Sequence, residues 1–237
     1  MDATFDYAGD VVLVTGASGA LGSAVVEAFA DAGATVCAAD VVEPDAEESL
    51  LGPAYDAFYA GDFTDEAEVS RVVDEVVDDH GGLDALCNIA GTWRGGDPID
   101  ETDVETFDLL FDVNLKTMFL ASKHALPHLR ESEGQGAVVS VSARSSLEGG
   151  EGDGPYRASK AGVRLLTETV AEENLGEVRA NAVMPSVIDT PANREMMPDA
   201  DHSTWVDPAD IAAVVLFLCS GAASVTSGAA VPVYGEA

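Results

Sequence analysis

The chain has 237 residues, of which 47% are hydrophobic, and this length is enough for one full α/β core. Its 43 Asp and Glu against 11 Lys and Arg give a formal net charge of −32, which argues against nucleic acid and anionic membranes as partners. No apolar run approaches the roughly eighteen residues of a membrane span, and the N-terminus lacks the basic start of a signal peptide. We therefore expect a cytoplasmic protein.

The acidic surplus resembles the composition of cytoplasmic proteins from extreme halophiles. A charge of this size repels itself in dilute buffer, whereas at molar salt the Debye length falls to about 3 Å. Only three of the cationic residues are lysines, and acidic mesophilic enzymes, which are the alternative, usually keep more. The cysteines Cys37, Cys87 and Cys219 lie far apart in apolar runs, so we predict buried thiols and no metal site.

Short apolar runs rich in Val and Ala alternate with longer segments of helical period. Strands are predicted over residues 11–15, 35–39, 57–60, 85–89, 137–141, 178–183 and 230–233. Helices are predicted over residues 20–31, 65–79, 104–129, 156–174 and 208–218. The alternation predicts a single domain over residues 1–237 with a doubly wound parallel seven-stranded sheet, helices on both faces, and so a Rossmann fold.

Two segments are loop-like and polar. Residues 146–155 hold four glycines and a proline, and residues 186–206 form a long connection between a predicted strand and a predicted helix. Because long ordered loops are often substrate lids, we expect residues 186–206 to form one.

A glycine-rich turn joins the first predicted strand to the first predicted helix. Its glycines let the backbone approach a pyrophosphate, and the N–H groups that begin the helix neutralise that anion. Asp40 ends the second strand, where a carboxylate accepts both ribose hydroxyls of NAD and repels the extra phosphate of NADP. We therefore predict NAD as the cofactor, bound by Asp40 and by the turn residues Gly16, Ser18, Gly19, Ala20, Leu21 and Gly22.

Further cofactor contacts are predicted where the third and fourth strands end. Asp62 is placed to accept the adenine amino group beside the backbone of Phe63, although a solvated loop carboxylate is the alternative. The fourth strand runs into Asn88, Ala90 and Gly91, which let a cofactor lie on its carboxyl end.

Tyr156 and Lys160 lie four residues apart at the start of a predicted helix and so share one face. A free phenol has a pKa of about 10. A nearby ammonium and a cationic nicotinamide ring both favour the phenolate, which gives a tunable proton donor and acceptor. The alternative is an ordinary surface pair.

Together these motifs resemble the short-chain dehydrogenase/reductase family from end to end. The resemblance rests on the glycine-rich turn, Asp62, the Asn88 to Gly91 motif, Asn114, the Tyr156 and Lys160 pair, and Pro185 after the sixth strand. It implies hydride transfer between nicotinamide and a carbonyl or alcohol carbon of a small-molecule substrate.

The resemblance also implies roles for single residues. Tyr156 exchanges the substrate proton, Lys160 holds the nicotinamide ribose and lowers the tyrosine pKa, and Asn114 anchors a water in a proton relay. Pro185 and Thr190 are further implied cofactor contacts. A homodimer or homotetramer packed through the helices at residues 104–129 and 156–174 is also implied.

The sequence departs from the family pattern in three places. Ala20 stands where the family has the middle glycine of the cofactor turn, and the neighbouring Gly19 is a candidate to compensate for that change. Arg157 replaces the small residue that usually follows the tyrosine. The family's catalytic serine lies thirteen residues before the tyrosine, and that position is Ala143. Either flanking hydroxyl, Ser142 or Ser145, is a candidate to polarise a carbonyl. We favour Ser142, with two ordinary loop serines as the alternative.

The segments at residues 90–96, 142–147 and 189–205 resemble the dihydropteridine reductase branch, which uses tyrosine and lysine without the serine. Trp93 and Trp205 are then candidate pocket walls, with core packing as the alternative. Three functions remain: an NAD-dependent enzyme of small carbonyls and secondary alcohols, a reductase of quinonoid dihydropteridines, and a redox sensor that binds NAD without turnover. Retention of Tyr156, Lys160 and Asn114 argues against the sensor.

Overall fold

The computed structural model describes residues 4–236, and its centre is one all-parallel seven-stranded sheet. The strand order is β3-β2-β1-β4-β5-β6-β7. The strands are β1 (Val11–Thr15), β2 (Thr35–Asp40), β3 (Ala57–Ala60), β4 (Ala85–Asn88), β5 (Gly136–Val141), β6 (Val178–Pro185) and β7 (Ala230–Val233). All seven predicted strands are confirmed, with ends shifted by at most two residues.

The helices cover both faces of the sheet. They are α1 (Ala20–Asp31), α2 (Glu66–His80), α3 (Val104–Phe111), α4 (Thr117–Leu129), α5 (Gly154–Glu173), α6 (Pro191–Met196) and α7 (Pro208–Cys219). Helices α1 and α7 pack on one face, while α2, α4 and α5 pack on the other. This confirms the doubly wound Rossmann-like fold.

Strand β1 shows why the chain folds this way. Its five residues are all buried, as expected for a parallel strand covered on both faces. Val12 and Val14 join the core beneath α1 and α7, whereas Val11 and Leu13 join the core beneath α2 and α4. Strand β1 pairs with β2 on one side and β4 on the other, so the strand order reverses there. In open α/β sheets, ligands bind at such a reversal.

Two helices begin in different ways. The Asp65 carboxylate accepts hydrogen bonds from the backbone N–H groups of Ala67 and Glu68, which closes the first turn of α2. Helix α1 is preceded by Gly19, which offers no side-chain acceptor. The N–H groups that begin α1 therefore lie at the carboxyl edge of the sheet with no side-chain cap among residues 4–236.

The segment predicted as one helix over residues 104–129 is divided in the structure. Five residues of π-helix, Asp112–Lys116, separate α3 from α4. Short π segments are rare and often lie at functional sites. Here the π segment carries Asn114.

The predicted lid contains more structure than a loop. Helix α6 and a 3₁₀ turn, His202–Thr204, lie within it, and a parallel bridge between Ile188 and Val206 closes its base. Within residues 4–236, the helices are too short or too polar to cross a bilayer. The three cysteines are free and buried.

Candidate active site

The turn after β1 has no room for side chains at two glycines. Gly16 has a φ of 68°, and a Cβ added there would lie 2.6 Å from the Ala90 Cα. A Cβ on Gly22 would lie 2.0 Å from the Gly16 carbonyl oxygen. Gly19 is extended and meets nothing closer than 3.5 Å, so this position does not require glycine. The conformation of the turn therefore depends on Gly16 and Gly22.

The start of α1 suits an anion. In the described part of the chain no side chain caps it, so its first-turn N–H groups, on Ala20, Leu21 and Gly22, are available to an external acceptor. The helix dipole adds positive potential there. The close backbone turn and the uncapped helix start fit the pyrophosphate of a dinucleotide.

Asp40 is held in place by its neighbours at the end of β2. Its carboxylate accepts hydrogen bonds from the Ser18 N–H at 2.9 Å and the Val42 N–H at 3.0 Å. The Ser18 hydroxyl in turn donates to the Val42 carbonyl at 2.6 Å. Each carboxylate oxygen keeps a lone pair for a further donor, so Asp40 fits the ribose hydroxyls of a bound cofactor.

Asp62 and Phe63 follow β3 but differ in exposure. Asp62 is exposed, and its Oδ1 accepts from the N–H and the hydroxyl of Thr64, at 2.8 and 2.7 Å. The Phe63 ring is buried in the core beneath α2. Phe63 therefore offers only its backbone to a cofactor.

The Asn88 side chain is buried. It donates from Nδ2 to the hydroxyls of Ser122 on α4 and Ser140 on β5, at 3.3 and 3.2 Å. Asn88 would therefore contact a cofactor through its backbone. Thr15 has a related role that the sequence did not indicate, because its hydroxyl accepts from the Ile89 N–H at 3.3 Å and joins the ends of β1 and β4.

Asn114 connects three elements around the candidate catalytic tyrosine. Its Oδ1 accepts from the Thr92 N–H at 2.8 Å, and its Nδ2 donates to the Ser159 hydroxyl at 3.1 Å. Ser159 donates onward to the Tyr156 carbonyl at 2.8 Å. Ser159 was not predicted, although its place three residues after Tyr156 puts it on the same helical face.

The Lys160 side chain lies between the end of β5 and the loop that follows β4. Its ammonium donates to the Val141 carbonyl at 2.9 Å. A Cβ on Gly91 would lie 2.9 Å from the Lys160 Nζ and 3.1 Å from the Asn114 Oδ1. The structure thus brings together Gly91, Asn114 and Lys160, which come from three distant motifs of the sequence.

Burial shifts both titratable groups of the candidate pair. It raises the pKa of Tyr156 to about 12, with a further increase from the Asp153 carboxylate and a decrease from Arg157. It lowers the pKa of Lys160 to about 8. We expected the ammonium to lower the pKa of the phenol, but desolvation of the phenolate is the larger effect in the ligand-free protein. Tyr156 is therefore protonated at neutral pH.

The hydroxyls near Ala143 differ in their bonding. Ser142 is 2% exposed, and its hydroxyl donates to the Lys160 carbonyl at 2.8 Å and lies 3.2 Å from the Ser146 hydroxyl. Ser145 is half-buried, and its hydroxyl has no hydrogen-bond partner among residues 4–236. This geometry weighs against our preference for Ser142, because a bonded and enclosed hydroxyl is less able to reach a substrate.

The remaining predicted residues lie in the loop after β4, at the end of β6 and in the predicted lid. Pro185 is buried as the last residue of β6, and the Thr190 hydroxyl caps α6 by accepting from the Asn193 N–H at 3.1 Å. Trp93 is 43% exposed, so it is not a core residue. Trp205 is half-buried and lies against the His202 ring, with centroids 4.4 Å apart.

Comparison with known proteins identifies the family of this chain. A family model described as "Enoyl-(Acyl carrier protein) reductase" matches residues 16–235. A 3-oxoacyl-(acyl-carrier-protein) reductase of Thermotoga maritima is 33% identical, over 96% of this chain and 97% of that protein. The chain belongs to the short-chain dehydrogenase/reductase family. Galactitol 2-dehydrogenase of Rhizobium johnstonii is another relative, 35% identical over 97% of this chain and 95% of that protein.

Solved structures of this family share the whole fold. Ligand-free aldohexose dehydrogenase of Thermoplasma acidophilum has a TM-score of 0.85 and 28% identity, over 98% of this chain and 94% of its own. A glucose/ribitol dehydrogenase-type member from Brucella melitensis has a TM-score of 0.88 and 27% identity, over 98% of both chains. As a member of the short-chain dehydrogenase/reductase family, the protein is an oxidoreductase of alcohols and carbonyls that uses a nicotinamide cofactor.

Proposed function

We propose that this short-chain dehydrogenase/reductase transfers a hydride between NAD(H) and a small ketone or secondary alcohol. The convergence of Tyr156, Lys160 and Asn114 beside the cofactor cradle is the observation that carries the proposal. When bound, the nicotinamide cofactor supplies or accepts the hydride.

The chain's own residues handle the proton. Tyr156 is protonated near neutral pH and donates to the carbonyl oxygen in reduction, and its phenolate accepts that proton in oxidation. Lys160, held by the Val141 carbonyl, stabilises the phenolate and binds a cofactor ribose. Asn114 fixes the π segment against Ser159 and anchors a relay water.

The two other functions have less support. The relatives named above act on alcohols, sugars or ketones, and these names favour the first function. Ala143 favours a conjugated substrate, which needs less polarisation than a ketone. A sensor would not need the three site residues, Tyr156, Lys160 and Asn114.

A substrate panel tests the proposed function directly. We expect NADH consumption with at least one ketone, or NAD reduction with at least one polyol or sugar. Turnover confined to a quinonoid dihydropteridine would select the second function, and cofactor binding without any turnover would select the sensor.

Cofactor choice is a separate prediction. NAD(H) is expected to bind at least about tenfold more tightly than NADP(H), because a 2′-phosphate would meet the Asp40 carboxylate. A tenfold ratio corresponds to about 1.4 kcal/mol of binding free energy. Fluorescence titration of both cofactors measures the ratio. Asp40→Ala should reduce the preference, and equal affinities in the unmodified protein would contradict the assignment.

We also propose that the protein works in a salt-rich cytoplasm, given its net charge of −32. Melting temperature and turnover should rise between dilute buffer and molar KCl, because the Debye length falls to about 3 Å and repulsion is screened. Sucrose that gives a similar osmolality is the control, since it stabilises by exclusion without screening. A melting temperature that is flat or falls with KCl would reject the halophilic interpretation.

The exposed apolar side chains on α3, α4 and α5 support the proposed homodimer or homotetramer. Phe107, Phe119 and Leu165 are exposed, and Phe107 stacks on Phe111 with centroids 4.3 Å apart. Large exposed apolar side chains on the helices of the implied interface favour a surface that another subunit covers. Sedimentation velocity should show an oligomer that Phe119→Glu with Leu165→Glu dissociates, and a monomeric unmodified protein would refute it.

A further inference from the structure

Arg157 follows the candidate catalytic tyrosine, and its guanidinium binds the connection that joins β5 to α5. Its Nε donates to the Asp153 carboxylate at 2.5 Å, and its Nη1 donates to the carbonyls of Glu148 at 3.1 Å and Ser145 at 3.4 Å. The Arg157 side chain is only 23% exposed. One side chain therefore bonds three separate points of residues 144–153.

The backbone at Gly150 is shaped to this guanidinium. A Cβ on Gly150 would lie 2.2 Å from the Arg157 Cζ and 2.3 Å from its Nη2, although the φ of Gly150 is not positive. A Cβ on the neighbouring Gly149 would meet nothing within 4 Å. Contact with Arg157 thus accounts for the glycine at position 150.

The same connection supports the loop that follows β4. The Gly96 N–H donates to the Gly152 carbonyl at 2.6 Å. A Cβ on Gly95 would lie 2.8 Å from the Gly152 carbonyl and 3.1 Å from the Trp93 ring. Contacts that fix residues 144–153 therefore also fix, through Gly152, the loop that carries Trp93.

We propose that Arg157 is a positioning residue for the substrate half of the active site, because it fixes the connection that carries Ser145 and, through that connection, the Trp93 loop. This inference rests on the proposed function. The residues that build the cofactor half, Gly16, Ser18 and Asp40, make their bonds on the other side of the site, around β1 and β2. Loss of Arg157 should therefore affect the substrate and spare the cofactor.

The test compares variants that disturb this contact with matched controls. Arg157→Ala removes the guanidinium, while Gly150→Ala leaves it in the protein but displaces it. Gly149→Ala is the control for the added methyl, and Arg164→Ala is the control for losing an ion pair, since Arg164 pairs with Glu168 on the same helix. Both disturbing variants should raise the substrate KM about tenfold, with the Kd for NADH unchanged within about twofold. The two controls should change neither quantity.

Arg157→Lys separates charge from geometry. The single ammonium of lysine can keep the pairing with Asp153, but it has no second nitrogen to contact the Ser145 and Glu148 carbonyls, as Nη1 does while Nε binds Asp153. Its KM should therefore lie between those of the unmodified protein and Arg157→Ala. Equal KM values for Gly150→Ala and Gly149→Ala would overturn the proposal even if Arg157→Ala did not fold.

A readout without turnover keeps this inference separate from the proposed function. Hydrogen exchange of the NADH complex should speed up at residues 144–153 and at residues 92–97 in Gly150→Ala, but not in Gly149→Ala. Unchanged exchange would overturn the positioning role. If exchange changes but no carbonyl or alcohol is ever turned over, the proposed function fails and the positioning role stands.

Discussion

Tyr156→Phe is expected to lower turnover by a factor of about 10² to 10⁴ while the Kd for NADH stays within about twofold. Tyr156 is the group placed to exchange the substrate proton, and its removal leaves the cradle around Gly16 and Asp40 intact. Steady-state kinetics and NADH titration on the same preparation measure both quantities. Tyr55→Phe is the matched control, because Tyr55 packs against Phe58 away from the site. A Tyr156→Phe enzyme that keeps most of its activity would place the proton donor elsewhere.

The pH dependence of the unmodified enzyme checks the same assignment. Burial raises the pKa of Tyr156 to about 12, so the phenol keeps its proton throughout the neutral range. Reduction uses the protonated form and should change little between about pH 6 and 8, whereas oxidation uses the phenolate and should accelerate as the pH rises. Oxidation that slows with rising pH across this range would contradict the role of Tyr156.

The strands and helices could be predicted because each strand is a short Val- and Ala-rich run bounded by turn residues, as β1 shows. The π segment could not be predicted, because its apolar spacing over residues 104–129 matches that of one continuous helix. Asn114 in the π segment bonds Thr92 and Ser159, and these partners are distant from it in the sequence.

The site was predictable in its location and less so in its details. Carboxyl ends of parallel strands share one edge, so Gly16, Asp40 and Gly91 were expected near one another. The direction in which Asn88 and Ser142 point depends on hydrogen bonds to other elements, and the sequence does not show these. The raised pKa of Tyr156 likewise follows from burial, which only the packed fold determines.

A ketone reductase needs a hydroxyl that polarises the substrate carbonyl, whereas a reductase of quinonoid dihydropteridines does not. Finding which hydroxyl, if any, has this role would therefore distinguish the two enzyme functions. The family's serine position is Ala143, and a methyl group donates no hydrogen bond. The Ser145 hydroxyl is unbonded within residues 4–236, and the Ser145 carbonyl is held by Arg157. Ser145 is therefore the better placed substitute, whereas the Ser142 hydroxyl supports the Lys160 carbonyl.

If the substrate is an ordinary ketone, Ser145→Ala should lower turnover by about 10² or more, as expected for loss of one oxyanion donor. Ala143→Ser in the Ser145→Ala background should restore much of that loss, because it returns a hydroxyl to the family's position. Ser142→Ala should instead cost about 1 kcal/mol of stability through the lost bond to Lys160, which thermal unfolding measures. A larger loss of turnover in Ser142→Ala than in Ser145→Ala would return the role to Ser142. If neither change affects turnover and Ala143→Ser alone creates ketone reduction, the natural substrate needs no such donor, as a conjugated compound would not.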